Sequence, residues 1–165
     1  MAYVSGPLTG LSDMEHARCL SLYERIADVC AEFGFLGFLP HKYGDPKAKA
    51  HLTPEQIDKQ DRTAVTQSRI VIAYVGLPSH GAGIEIEMAH HSHKPVILLF
   101  EKERLEQRMI SRLVLGAPAV IDKIGFNSED EAMIMLRSSL DSFCLKLDSS
   151  GLPDPLWPGT PVESM

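Results

Sequence analysis

Cysteine is scarce in this chain: Cys19, Cys30 and Cys144 among 165 residues, odd in number and without CxxC spacing. That argues against a disulfide framework or a cysteine-built zinc site and reads as three reduced thiols, with the cytoplasm as the expected compartment. Long hydrophobic runs are missing as well. A stretch such as residues 95–100 falls far short of the roughly 20 apolar residues of a membrane-spanning helix. Positive charge is in deficit, with 16 Lys and Arg against 22 Asp and Glu, a net charge of −6, and no basic cluster. Nucleic acid is therefore not an expected partner, and a small anionic ligand would need a local positive field. The first residues run straight into strand-like sequence, so no signal peptide is expected. What is present is ordinary: 44% hydrophobic and 23% charged residues. The length suits one domain able to bury about two-thirds of its unfolded surface.

Apolar periodicity alternates along the chain. Strands are predicted at residues 2–5, 35–39, 70–75, 96–100 and 119–121. The first helix is predicted over 13–33, where Leu22, Ile26, Val29, Cys30 and Phe33 share a face, Ser12 or Asp13 caps, and Gly34 ends it. Thr53-Pro54-Glu55 opens a second, running to about residue 67. Further helices are expected over 82–92, 105–115 and 128–147, with a loop over 40–52. Residues 1–147 form a single domain in this reading, and 148–165, with four prolines, a flexible tail. Five strands alternating with five helices imply an α/β fold: a doubly wound, five-stranded parallel sheet of Rossmann or flavodoxin type with helices on both faces. Ligands of such sheets bind at the carboxyl ends of strands beside the switch point. The loops over 6–11 and 76–83 meet there, which places Tyr3, Ser79 and Glu85 near one another.

The most informative segment is Leu77-Pro-Ser-His-Gly-Ala-Gly-Ile-Glu-Ile-Glu-Met-Ala89. It follows a β-branched strand and opens a helix, with Gly81 and Gly83 expected at the turn. Backbone N–H groups at such a positive helix end suit a phosphate or carboxylate. Glu85 is expected in the first helical turn, where the dipole favours its ionised form. Asp61 shares an inward face with Ile57, Ala64 and Val65, at i, i+4, i+7 and i+8. A buried acid without a partner shifts its pKa upward, which makes Asp61 a candidate proton donor. Glu87, two residues past Glu85, points the other way and reads as a solvated charge.

Tyr3-x-x-Gly6, Gln60-Asp61 and Ser79-x-Gly81-x-Gly83-x-Glu85, in that order, resemble the nucleoside 2-deoxyribosyltransferase family. The likeness is nearest to its branch of 2′-deoxynucleoside 5′-phosphate N-hydrolases, and spans residues 2–121. The resemblance implies that Glu85 attacks the anomeric carbon to form a glycosyl–enzyme ester. It further implies that Tyr3 orients Glu85 and that Ser79 binds a 5′-phosphate, where the transferase branch carries an Asp. Gly6, Pro7, Thr9, Gly81 and Gly83 fall at substrate-binding places. Arg108-Met-Ile-Ser111 resembles a segment whose serine reaches a neighbouring subunit's phosphate, implying a homodimer with shared active sites. Two positions depart from the hydrolase pattern Gly-Ser-x-Arg: Pro7 lacks a hydroxyl and an N–H, and Thr9 lacks the arginine charge. Lys42, His41 or Arg112 are candidate replacements. The expected activity is N-glycosidic cleavage of a nucleoside or nucleotide small molecule, with no cofactor. Deoxyribose transfer between bases, or a non-catalytic nucleotide-binding domain, are the alternatives.

Other motifs carry less. His90 and His93 are spaced i, i+3, yet no Cys or acid stands at a supporting interval, so a solvated polar helix end is expected rather than a metal site. Gly81-x-Gly83 lacks the third glycine of a dinucleotide fingerprint, and no P-loop lysine is present.

Overall fold

The computed structural model describes residues 1–45 and 49–150, with side chains as far as residue 147; the tail expected over 148–165 falls mostly outside the described residues. β1 (Ala2–Ser5) is buried along its whole length. α1 (Asp13–Glu32) starts at Ser12, which accepts the Glu15 N–H while Glu15 reaches back to the Ser12 N–H. This reciprocal pair satisfies two of the helix's free donors. Gly34 then takes φ +77° and ends the helix. β2 (Gly37–Phe38) spans two residues rather than the five predicted. α1 passes so close that a Cβ on Gly37 would lie 2.6 Å from that of Ala27.

The expected loop contains a short helix, α2 (Pro40–Gly44), with proline in its first turn. α3 (Pro54–Gln67) is capped by Thr53, and its reciprocal partner is Gln56 rather than the neighbouring Glu55. β3 (Ile70–Tyr74) is wholly buried. α4 (His80–His91) begins two residues before the predicted start because Ser79 is its N-cap. β4 (Val96–Glu101) follows. The single helix predicted over 105–115 is two pieces, α5 (Lys102–Glu106) and α6 (Arg112–Leu115). Arg108 adopts a left-handed φ of +57° between them, and the Met109 N–H turns back to the Arg104 carbonyl. β5 (Val120–Phe126) has seven residues instead of three. As an edge strand it tolerates the exposed Asp122 and Lys123 that break its apolar pattern. α7 (Glu129–Ser150) closes the described chain.

The sheet order is β2-β1-β3-β4-β5, every pair parallel. Side chains alternate between two cores. Ala2, Val4, Ile70, Ile72, Ile97 and Leu99 pack under α1 and α7. Tyr3, Val71, Ala73 and Leu98 pack under α3 and α4. Each fully buried Leu, Ile or Val contributes about 1.5–3 kcal/mol, so both faces hold the sheet. The chain leaves β1 toward β2 on one side and leaves β3 toward β4 on the other. The crevice of such a switch point lies beyond the carboxyl ends of β1 and β3. Among the described residues no helix is long and apolar enough to cross a membrane.

Candidate active site

Glu85 projects from α4 onto the end of β1. The Tyr3 hydroxyl donates to its Oε1 at 2.8 Å, and the Ser5 hydroxyl donates to its Oε2 at 2.5 Å. Residues two apart on a strand share a face, so one strand supplies both donors. The Tyr3 ring is braced by stacking on Phe38, with centroids 5.4 Å apart, and Phe38 stacks in turn on Tyr43 at 4.9 Å. Asp61, on α3, lies near enough to Tyr3 for the two groups to influence each other's ionisation. Its Oδ1 is buried without a hydrogen-bond partner, as are Gln60 Nε2 and His41 Nδ1. Buried polar atoms normally have partners, so the open valences of the adjacent Gln60 and Asp61 are available to a ligand or a water.

Burial governs the ionisation of all three central groups. It pushes the Glu85 carboxyl up to about 7; the hydrogen bonds from Ser5 and Tyr3 pull it down, and the neighbouring Asp61 adds a further rise. Asp61 is raised to about 6, again by burial, against the lowering influence of the neighbouring Tyr3 and Gln60 side chains. Tyr3 is held far above the ordinary phenol range by burial and then by the two carboxylates. Its hydroxyl is therefore a donor at every working pH. Two adjacent carboxyls of this kind titrate as a pair.

This corrects the expectation for Glu85. With α4 starting at His80, Glu85 lies in the second turn, where the dipole has faded, and burial favours its protonated form. The glycine cradle is corrected as well. Gly81 and Gly83 lie inside the helix, and the Gly83 N–H closes the first helical bond to the Ser79 carbonyl. Ser79 Oγ accepts the Ala82 N–H at 3.2 Å, which leaves its own hydrogen free to donate outward. Pro7 is buried, and its carbonyl accepts the Tyr23 hydroxyl at 2.9 Å, while Gly6 has no room for a Cβ beneath the same hydroxyl. Both therefore shape the loop. Thr9 is exposed beside it. Ser111 caps α6 through the Val114 N–H and faces solvent within this chain. His41 and Lys42 both bind Glu24, at 3.2 and 2.9 Å, so neither stands free for a phosphate. Arg112 lines a separate pocket with Leu105, Arg108 and Ile110. Glu87 is exposed and pairs with His91.

Ser5 is the site residue that the sequence did not single out. Its signal was its i+2 spacing from Tyr3 on a strand whose face was already in use.

The fold thus sets two raised carboxyls at the switch point of a parallel α/β sheet. The chain belongs to the nucleoside 2-deoxyribosyltransferase family, whose model matches residues 2–153. It is thus an enzyme of the class that works on the bond between a base and its sugar. It is 26% identical over 140 residues to the protein named "Putative 2′-deoxynucleoside 5′-phosphate N-hydrolase 1" of Thermofilum pendens (strain DSM 2475 / Hrk 5), covering 84% of this chain and 93% of that one. Among solved structures it resembles the Clostridium botulinum CMP N-glycosidase BcmB, with a TM-score of 0.59 and 22% identity over 86% of this chain and 98% of that one. It also resembles BlsM, with a TM-score of 0.65 and 21% identity over 94% and 96% of the two chains. These two likenesses establish the fold.

Proposed function

We propose that the protein hydrolyses the N-glycosidic bond of a nucleoside or deoxynucleoside 5′-monophosphate through a covalent intermediate on Glu85. The observation that carries this reading is the Glu85 carboxyl, bound through both oxygens by neutral hydroxyls beside a second raised carboxyl. A Glu85 oxygen attacks C1′ as the bond to the base nitrogen breaks, and the bonding pair leaves with the base. Protonated Asp61 supplies the base's proton. In the second half a water attacks C1′, Asp61 takes a proton from it, and the ester bond returns its electrons to Glu85.

The active form holds one proton on the pair, and it must sit on Asp61. Burial raises both carboxyls, so in the empty site the proton can reside on either. Positive charge growing at C1′ against Glu85 favours the carboxylate there and moves the proton toward Asp61. Activity should therefore follow a bell-shaped curve with its maximum between about pH 6 and about pH 7.

The Ser79 hydroxyl and the first N–H groups of α4 receive the 5′-phosphate in this reading. The names of the relatives, an N-hydrolase and a CMP N-glycosidase, support a nucleotide substrate. We further propose a homodimer in which Ser111 completes the neighbouring pocket. It lies beside Leu113, 85% exposed, and Met109, 50% exposed, an apolar surface suited to a second copy. Free Cys19 and Cys30, both buried, accord with a reducing cytoplasm.

Incubation with CMP, dCMP and dGMP and the matching unphosphorylated nucleosides, with and without a second free base, tests the assignment. Free base and sugar phosphate are the expected products. A new nucleoside formed faster than free sugar would instead mark a transferase. Preference for the unphosphorylated substrate would overturn the nucleotide assignment, and a monomer in sedimentation at micromolar concentration would overturn the shared site.

A further inference from the structure

Two buried serines among the described residues satisfy their hydroxyls in opposite ways. Ser68, at the end of α3, donates to the Val65 carbonyl three residues back, at 2.7 Å. That is local and structural, the usual arrangement for a buried serine. Ser5 is equally buried, yet its hydroxyl crosses to the side chain of Glu85, 80 residues away. Ser5 is paired with Ala73 across the β1–β3 ladder, so its backbone is fixed at the switch point itself.

The terminal torsion of a glutamate is soft, with broad, roughly two-fold wells. A single hydroxyl on Oε1 would leave that carboxylate free to swivel about one contact. Tyr3 on Oε1 and Ser5 on Oε2 together fix the plane of the group and leave each oxygen a further lone pair. We infer that Ser5 is a positioning residue for Glu85: with Tyr3 it sets the plane of the carboxylate, so that a lone pair faces the sugar carbon in the ionised state. This inference rests on Glu85 being the nucleophile.

The two donors have separable tasks. Tyr3 also lies under the influence of Asp61, whereas the Ser5 bond acts on Glu85. Loss of the Ser5 hydroxyl removes a bond made to the carboxylate form, and Glu85 then holds its proton to higher pH. The consequence has a definite shape. Below the titration of Glu85 the variant has less of the ionised nucleophile than the parent, and above it the two have the same amount.

The test is the pH profile of kcat/KM for Ser5→Ala against the parent, with a nucleoside 5′-monophosphate as substrate. The expected deficit persists at about pH 9, where only the lost orientation acts, and widens by about a further tenfold near pH 5.5, corresponding to a rise of about one pKa unit. A deficit equal at all pH values, or no deficit, overturns the inference, since a packing role would not depend on pH. Should Ser5→Ala not fold, Ser5→Cys, whose thiol is a weak donor, is read by the same criterion. Glu85→Gln in the same assay separates the two claims. Activity retained in Glu85→Gln defeats the nucleophile assignment itself. An inactive Glu85→Gln together with a pH-independent Ser5→Ala deficit defeats only the role of Ser5.

Discussion

The molecule contains the same side-chain pair twice, once on each face of the sheet, with opposite outcomes. On the α3/α4 face Tyr3 donates to Glu85. On the α1/α7 face Tyr74, at the end of β3, donates to Glu101, at the end of β4, at 2.9 Å. Burial pushes both carboxyls toward protonation. At Glu101 the Arg18 guanidinium, 2.6 Å away, leads the opposing influences, joined by a backbone N–H and the Tyr74 hydroxyl, and the carboxyl lies below its usual range; Arg104 pairs with it as well, at 3.6 Å. Around Glu85 the influences are two hydroxyls and another acid, and the carboxyl stays raised at about 7. A tyrosine on a glutamate is therefore not in itself a catalytic device. A nearby cation makes it a fastening, and without one burial keeps the carboxyl raised and unpaired with any cation, as the nucleophilic role proposed for it allows.

Three changes break or sharpen this contrast. The largest effect belongs to Glu85→Gln, which should lower kcat/KM at least about a thousandfold while the fold survives. The same variant reports on stability. A carboxyl raised from 4.5 to about 7 stabilises the fold only while protonated, and that contribution is lost as pH rises through about 7. Glu85→Gln should therefore gain stability at pH 8, on the order of 3 kcal/mol, with no gain at pH 4. Urea denaturation at the two pH values reads the difference, and equal effects would contradict the raised carboxyl. Next is Tyr3→Phe, which keeps the stack on Phe38 and removes the hydroxyl; a fall in kcat/KM of about 10–100-fold is expected. Thermal unfolding should show the variant folded at the assay temperature. The smallest effect is that of Arg18→Met. It should cost about 1 kcal/mol of stability, because Arg18 is half exposed and its ion pairs are screened, and it should leave turnover within a few-fold. Activity falling in Arg18→Met as steeply as in Glu85→Gln would erase the distinction between the two faces.

The parts of the fold that frame the site were the legible ones. β1 and β3 are apolar runs bounded by turns, the inward face of α3 follows from the spacing of Ile57, Asp61, Ala64 and Val65, and both capping boxes are local. Illegibility began where local signals were weak or misleading. α2 is too short for periodicity to register. Arg108 takes a left-handed conformation without the glycine or asparagine that would announce it. β5 is an edge strand, so Asp122 and Lys123 cost it little and hide its length. In the site, topology placed Tyr3 beside Glu85 and the family resemblance added Asp61, but the charge of Glu85 was misjudged. Helix position is readable from sequence, whereas burial by residues 80 positions away is not. Ser5 shows the same limit, since a serine in a four-residue strand means nothing until its partner is known.

β1 has only four residues, and none of them is spare. Tyr3 and Ser5 face the carboxylate, while Ala2 and Val4 fill the opposite core. An insertion or deletion of one codon inside this strand would exchange the two sets, turning the hydroxyls into the apolar layer and the apolar side chains toward the substrate. Such a lesion could not be repaired by any single compensating replacement, because folding and catalysis would fail together. Length variation in descendants of this gene should therefore accumulate elsewhere, at places such as the exposed turn over 127–128, and bypass the strand that does two things at once.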